Sequence, residues 1–237
     1  MLKPVNRHKL HEEITHQIET KILNGEFPPG HRLPAERDLA EEFTVNRSTV
    51  REGLKKLEAL GLLSILHGDG IYVRDYREAG NLELLKSLFL TPGPRLFALL
   101  DGLLEIRTII VPPMAGHAAR NRNEEELGEL ENAVNNDTLS LQEKDLLIHR
   151  IIARSSGNMA FIFILNYFND IFRRFGHLYF EDNENRELTI RFHRDILTAI
   201  REKNSLLAEK IMKEVLITTW KNIMKHVQRG TDYETLS

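Results

Sequence analysis

Cysteine is absent from all 237 residues, which excludes disulfides, thiolate metal sites and cysteine nucleophiles. Long apolar segments are missing too, as is a positively charged leader followed by a hydrophobic run. Neither a membrane-spanning helix nor a secretory signal is expected, and the cytoplasm is the simplest location. Positive charge is not in excess: the formal net charge is -3, which argues against broad, non-specific coating of nucleic acid but leaves room for a local basic surface. Phosphate loops, nucleophile elbows and a carboxylate pair with a matching base are all lacking, so an enzyme is not expected. What is present is 41% hydrophobic residues over a length sufficient for two domains with real cores.

The most informative stretch runs from Leu33 to Val73. Pro34, Ala35, Glu36, Arg37 and Asp38 favour a helix start, and Leu39 and Phe43 repeat at helical spacing. Thr44 and Val45 interrupt that helix, and Asn46 or Ser48 can cap a second one, whose apolar face is Val50, Leu54 and Leu57. Arg47, Arg51 and Lys55 fall on another face of it, giving an exposed basic ridge on a helix anchored from behind. Gly61 ends the helix, and Leu62 to Leu66 and Ile71 to Val73 read as two strands joined through His67, Gly68, Asp69 and Gly70. A basic second helix of this kind is suited to the DNA major groove, where Arg pairs with guanine edges and Ser, Thr and Asn with bases or phosphates.

The ordered set Arg32-Leu-Pro-Ala-Glu-Arg-Asp-Leu-Ala, Val45-Asn-Arg-Ser-Thr-Val-Arg-Glu, Gly61-Leu-Leu and His67-Gly-Asp-Gly resembles the DNA-binding signature of the GntR family of bacterial transcription regulators. The resemblance implies DNA contacts by Arg37, Asn46, Arg47, Ser48, Thr49 and Arg51, with His67 and Gly68 reaching the minor groove from the wing. One departure is Thr44, at a turn position where the family usually has Gly. A β-branched residue makes a positive φ unexpected there, so a reshaped turn is predicted. The plain alternative for Arg37 and Arg51 is pairing with Glu41, Glu42 or Glu52 on a solvated face.

Ahead of this stretch, Leu10, Ile14, Ile18 and Ile22 recur every four residues, predicting an amphipathic helix that packs behind the other two and ends at Gly25, Pro28, Pro29 and Gly30. The expected division is a winged helix-turn-helix domain over 1–75, a linker over 76–82, an all-helical domain over 83–230 and a tail over 231–237. The fold class is therefore mainly α, with a small β-hairpin wing and a C-terminal bundle of six to seven helices. Within the segment Arg95 to Arg120, Pro112 and Pro113 require a kink or a break. Later helices are predicted over Glu124–Val134, Leu141–Ser155, Met159–Phe180, Glu184–Glu202 and Ser205–Val227.

A GntR head followed by an all-helical domain resembles the FadR subfamily, on the landmarks Leu104-Glu-Ile-Arg107, Asp145 with His149, Ser156-Gly-Asn158 and the run from His193 to Ile200. Asp145 and His149 are four residues apart and share a helix face, which suits a divalent ion such as Zn, Ni or Mn. His193 completes three candidate ligands. Many members of the subfamily hold an ion with one Asp and three His, but Val215 stands where the last His is expected, leaving the site one ligand short unless water, effector oxygens or His177 fills it. The alternative is a hydrogen-bonded Asp145–His149 pair with no ion.

Arg107 lies in an otherwise apolar helix and must reach solvent or meet an anion. The resemblance implies recognition of an effector carboxylate or phosphate, and the alternative is a salt bridge to Asp145 or Glu105. Phe175-Gly-His-Leu-Tyr-Phe180 and Trp220 are similar to members that bind acyl-CoA without metal, which would place Tyr179 and Trp220 on the cavity wall, unless both are plain core. The expected effector-binding set is thus Arg107, Asp145, His149, Tyr179, His193 and Trp220.

Taken together, a homodimer is expected to bind a palindromic double-stranded DNA operator as a repressor relieved by a small-molecule effector, an organic acid or acyl-CoA, with no membrane partner. The competing readings are a ligand-independent DNA-binding dimer and a metal-dependent enzyme with a DNA-binding head.

Overall fold

The computed structural model describes residues 8–90 and 95–229, and these form two compact units divided between Leu90 and Thr91. The expected tail, 231–237, lies outside the described residues. In the first unit α1 (His8–Leu23) and α3 (Arg47–Ala59) pack closely. Gly53 permits that approach, since a Cβ there would stand 3.2 Å from the carbonyl oxygen of His11. Ile14, Ile18 and Ile22 are buried as their spacing predicts, whereas Leu10 remains 46% exposed. They join Leu39 of α2 (Glu36–Glu42) and Val50, Leu54 and Leu57 of α3 in one core.

The wing is a three-stranded antiparallel sheet, with β3 (Gly70–Val73) between β2 (Leu63–Leu66) and β1 (Arg32–Leu33). The two-residue β1 is too short to show any alternation in the sequence. Gly61 turns the chain from α3 into β2 at a φ of 80°, and a Cβ there would fall 2.1 Å from the carbonyl oxygen of Ala79. Only glycine meets both demands. A short helix, α4 (Tyr76–Ala79), occupies much of 76–82, and Leu84 of α5 (Leu82–Leu90) is buried in the head's own core.

Thr44 corrects one expectation. Its φ is +55°, so the turn between α2 and α3 keeps the left-handed geometry despite the β-branched side chain. Such a residue costs on the order of 1 kcal/mol or more in this region, and packing of Leu39, Val50 and Leu54 on either side holds it there.

The second unit is helical throughout its described residues: α6 (Arg95–Asn121), α7 (Glu124–Val134), α8 (Leu141–Ser155), α9 (Met159–Phe180), α10 (Asn183–Arg201) and α11 (Ser205–Arg229). Asn123 and Ser140 start α7 and α8 with capping boxes closed by Glu126 and Glu143, which accounts for the sharp boundaries there. Of the kink or break expected at Pro112 and Pro113, the break does not occur: α6 runs through both as one 27-residue helix. Val111, Met114 and Ala115 are fully buried around the pair, and this packing outweighs a proline penalty of about 3 kcal/mol per residue. Among the described residues, no helix is long and apolar enough to cross a membrane.

Candidate functional sites

In the head, Asn46 is the N-cap of α3. Its side-chain oxygen accepts from the Thr49 backbone N–H at 2.9 Å, from the Thr49 hydroxyl at 2.9 Å and from Ser48 Oγ at 2.6 Å. Thr49 is buried, so its side chain serves the cap and not the outer face. Arg47, Ser48, Arg51 and Lys55 are exposed along the same helix, as the ridge reading requires. Arg37 is exposed on α2 and pairs with Asp38 at 3.1 Å and loosely with Glu41 at 3.9 Å. At the wing tip His67 and Gly68 are exposed, with Gly68 at a φ of 83°.

Arg51 pairs with neither Glu41, Glu42 nor Glu52 but with Glu36: its Nε lies 3.0 and 3.1 Å from the two carboxylate oxygens and its Nη2 2.6 Å from one of them. Hydrogen bonding from Arg51 holds the Glu36 carboxyl below its usual range, with Arg47 and Lys55 adding to the effect. The same contact raises Arg51 above its ordinary value.

In the helical unit, Arg107 on α6 is buried, and its guanidinium lies 5.0 Å from the centre of the Phe172 ring. Arg107 Nε has no hydrogen-bond partner among the described residues. Burial pushes the Arg107 guanidinium down from its ordinary value, against the pull of nearby Asp145. It remains a cation at neutral pH.

Asp145 and His149 on α8 are both buried, and helical spacing brings His149 Nε2 to 3.8 Å from Asp145 Oδ1. His193 comes from α10, with Nε2 3.0 Å from the same oxygen. An ionised Asp145 can only accept, which assigns the proton to His193 Nε2. Burial pushes the Asp145 carboxyl up, but His149, the His193 hydrogen bond and Arg107 outweigh it and hold the group below its usual range. Burial drives His149 the other way from a protonated state, down to about 4, so its ring is neutral at pH 7.

Arg107, Asp145 and His149 line a pocket closed down to about 10 Å³, room for roughly one water, whereas His193 holds Asp145 without lining it. Tyr179 on α9 lines it, its phenol oxygen accepting from Thr219 Oγ1 at 3.2 Å and burial raising its pKa. Val215 lines it too, so the residue at the expected fourth metal position does face the site. Thr189 and Thr219 were missed by sequence reasoning, although each lies four residues from a singled-out position, His193 and Val215, on the same helix face. Trp220 does not line the pocket, and its indole N–H donates to Asp101 Oδ1 at 2.8 Å. The side chain of His177 lies outside the described residues.

A divalent ion does not fit this set. Asp145 is occupied by His193, the Arg107 cation acts on the same carboxylate, and Val215 supplies no donor. Among the described residues, no group of three or more His, Asp or Glu side chains is arranged to hold a metal.

Residues 10–73 match the family described as bacterial regulatory proteins, gntR family, and residues 74–230 match the FadR C-terminal domain. A fatty acid metabolism regulator protein from Shewanella oneidensis is 33% identical over 207 residues, covering 86% of this chain and 86% of that protein. The HTH-type transcriptional regulator Mce2R of Mycobacterium tuberculosis is 45% identical over 129 residues, covering 54% of this chain and 53% of that one. Among solved structures, Lar, which controls the expression of the Listeria monocytogenes agr system, shares the fold with a TM-score of 0.54 at 20% identity, over 95% of this chain and 99% of that chain.

Proposed function

The chain belongs to the GntR family of bacterial regulatory proteins and carries a FadR C-terminal domain, and on that premise we propose that this transcription regulator is a homodimeric, ligand-released repressor of a palindromic operator. Its relatives are regulators and not enzymes. The effector in this reading is an anion derived from a fatty acid, a free carboxylate or an acyl-CoA, held by Arg107.

The observation that carries the proposal is the buried Arg107 guanidinium, whose Nε lacks a protein partner among the described residues. A buried donor left unpaired costs about 1–3 kcal/mol, more when charged, and an anionic ligand removes that cost. Tyr179, Thr189 and Thr219 add polar atoms along the same pocket. A relative at 33% identity is named for fatty acid metabolism, which supports the chemical class. Val215 and the Asp145–His193 bond speak against metal-mediated capture.

The pocket's small volume supplies the switch. An effector larger than a water must part the helices around it, so it binds the opened state of the bundle better than the closed one and shifts the population between them. The closed pocket also favours the second reading, a ligand-independent dimer. Native mass spectrometry with elemental analysis of freshly purified protein tests both: the expected result is a co-purified anionic ligand, or uptake of one on adding a fatty acid or acyl-CoA, without stoichiometric metal. A homodimer that takes up neither is the ligand-independent protein, and one divalent ion per subunit removes the metal-free reading.

A further inference from the structure

A second cavity lies on the other side of His193. It is a groove of about 360 Å³ between the α7–α8 connection and α10, within the size range of small-molecule sites. Arg186, Ile190 and Arg194 succeed one another at four-residue intervals along α10, so they form one stripe on its wall. Lys144 of α8 faces them. The acid on this wall is Asp137, 97% exposed and 3.4 Å from Lys144, which leaves the two arginines as an excess of positive charge. Neither arginine is ion-paired to a carboxylate among the described residues, and Arg194 Nε reaches only the Ile190 carbonyl oxygen, at 3.5 Å.

Apolar side chains complete the groove: Leu139 and Leu141 on one side, and Ile190, 43% exposed, on the other. An exposed isoleucine between two unpaired arginines matches a ligand with an anionic head and a short apolar tail. The guanidinium forks bind the head in bidentate fashion, and the tail covers Ile190 and the leucines.

We propose that the groove bounded by Arg186, Ile190, Arg194 and Lys144 is a second ligand site, distinct from the Arg107 pocket, that takes a carboxylate with a short apolar tail. His193 forms part of its wall while its Nε2 holds Asp145, which lines the closed pocket. A ligand that displaces the His193 ring therefore releases Asp145 toward Arg107, and occupancy of the groove is communicated to the interior.

Isothermal titration of the full-length protein with octanoate, and separately with inorganic phosphate, tests this. The wild type should bind octanoate saturably, the Arg186→Ala/Arg194→Ala variant should bind about tenfold or more weaker, and Arg107→Ala should retain that site. Both arginines are exposed, so the double variant keeps its core. Absence of saturable octanoate binding overturns the proposal. So does binding that is lost in Arg107→Ala but unchanged in the double variant, which places the ligand in the closed pocket. Phosphate binding as tight as octanoate binding also overturns it, because the apolar wall would then contribute nothing.

Discussion

Glu36 and Arg51 form a bidentate pair across the turn between α2 and α3, on the surface expected to meet DNA. A carboxylate that occupies the guanidinium fork competes with a guanine edge or a phosphate for the same donors. Glu36→Gln should strengthen binding to non-specific DNA and steepen its dependence on salt, by about one additional phosphate contact in the log–log slope. Fluorescence anisotropy across a salt series measures this, and an unchanged slope would mean that Arg51 stays away from the backbone.

On the same helix Arg47 is exposed. Arg47→Ala should cost roughly 1–3 kcal/mol of operator binding and relax base preference at one position. Competition binding against single-base operator variants gives the answer, and wild-type discrimination in the mutant would remove Arg47 from base readout.

Replacing Arg107 by methionine removes the buried cation but leaves the buried Asp145 carboxylate without its opposing charge, so it should lower stability by about 3–5 kcal/mol while abolishing the effector response. The unfolding midpoint in urea and the DNA-release assay report the two halves independently. Lower stability with an intact response would show that Arg107 is structural.

Thr44 stands at a φ of +55°. Thr44→Gly relieves that strain but adds entropy to the unfolded chain, and the balance should stabilise the protein by roughly 0.5–1 kcal/mol. Denaturant unfolding of the full chain measures it. A loss of stability would mean that the threonine makes a compensating contact.

The pKa of His149 falls from 6.5 to about 4 on folding. The unfolded chain therefore takes up this proton first as the pH drops. Its contribution is fully present above about 6.5 and is lost progressively as the pH falls toward 4, to a total on the order of 3 kcal/mol. His149→Phe preserves the ring stacked 5.5 Å from Phe192 and should flatten the stability profile across that window, measured as urea midpoints at pH 7 and near pH 4. A profile identical to wild type would assign acid lability to other groups.

Much of the head was legible because its signals are local. The cap at Asn46, the stop at Gly61 and the stripe Val50, Leu54 and Leu57 are each decided within one or two helical turns. The same holds for the starts of α7 and α8 at Glu124 and Leu141 and for the shared face of Asp145 and His149. Where an element depended on distant partners, the local signal misled. Pro112 and Pro113 remain inside α6 because buried neighbours hold the helix, and Thr44 adopts a glycine's conformation because the helices flanking it are fixed by the core.

By itself the sequence determined the winged head, the helical bundle, the family and the side chains able to carry charge into the interior, since periodicity and capping act over a few residues. Tertiary structure alone decided which of those side chains meet. Glu36 claims Arg51 from 15 residues away, His193 claims Asp145 from 48 residues away, and Phe172 lies across the Arg107 guanidinium. Trp220 turns instead to Asp101, and the pocket closes to about one water. These outcomes depend on the angles and distances at which helices pack, which no local pattern of residues encodes.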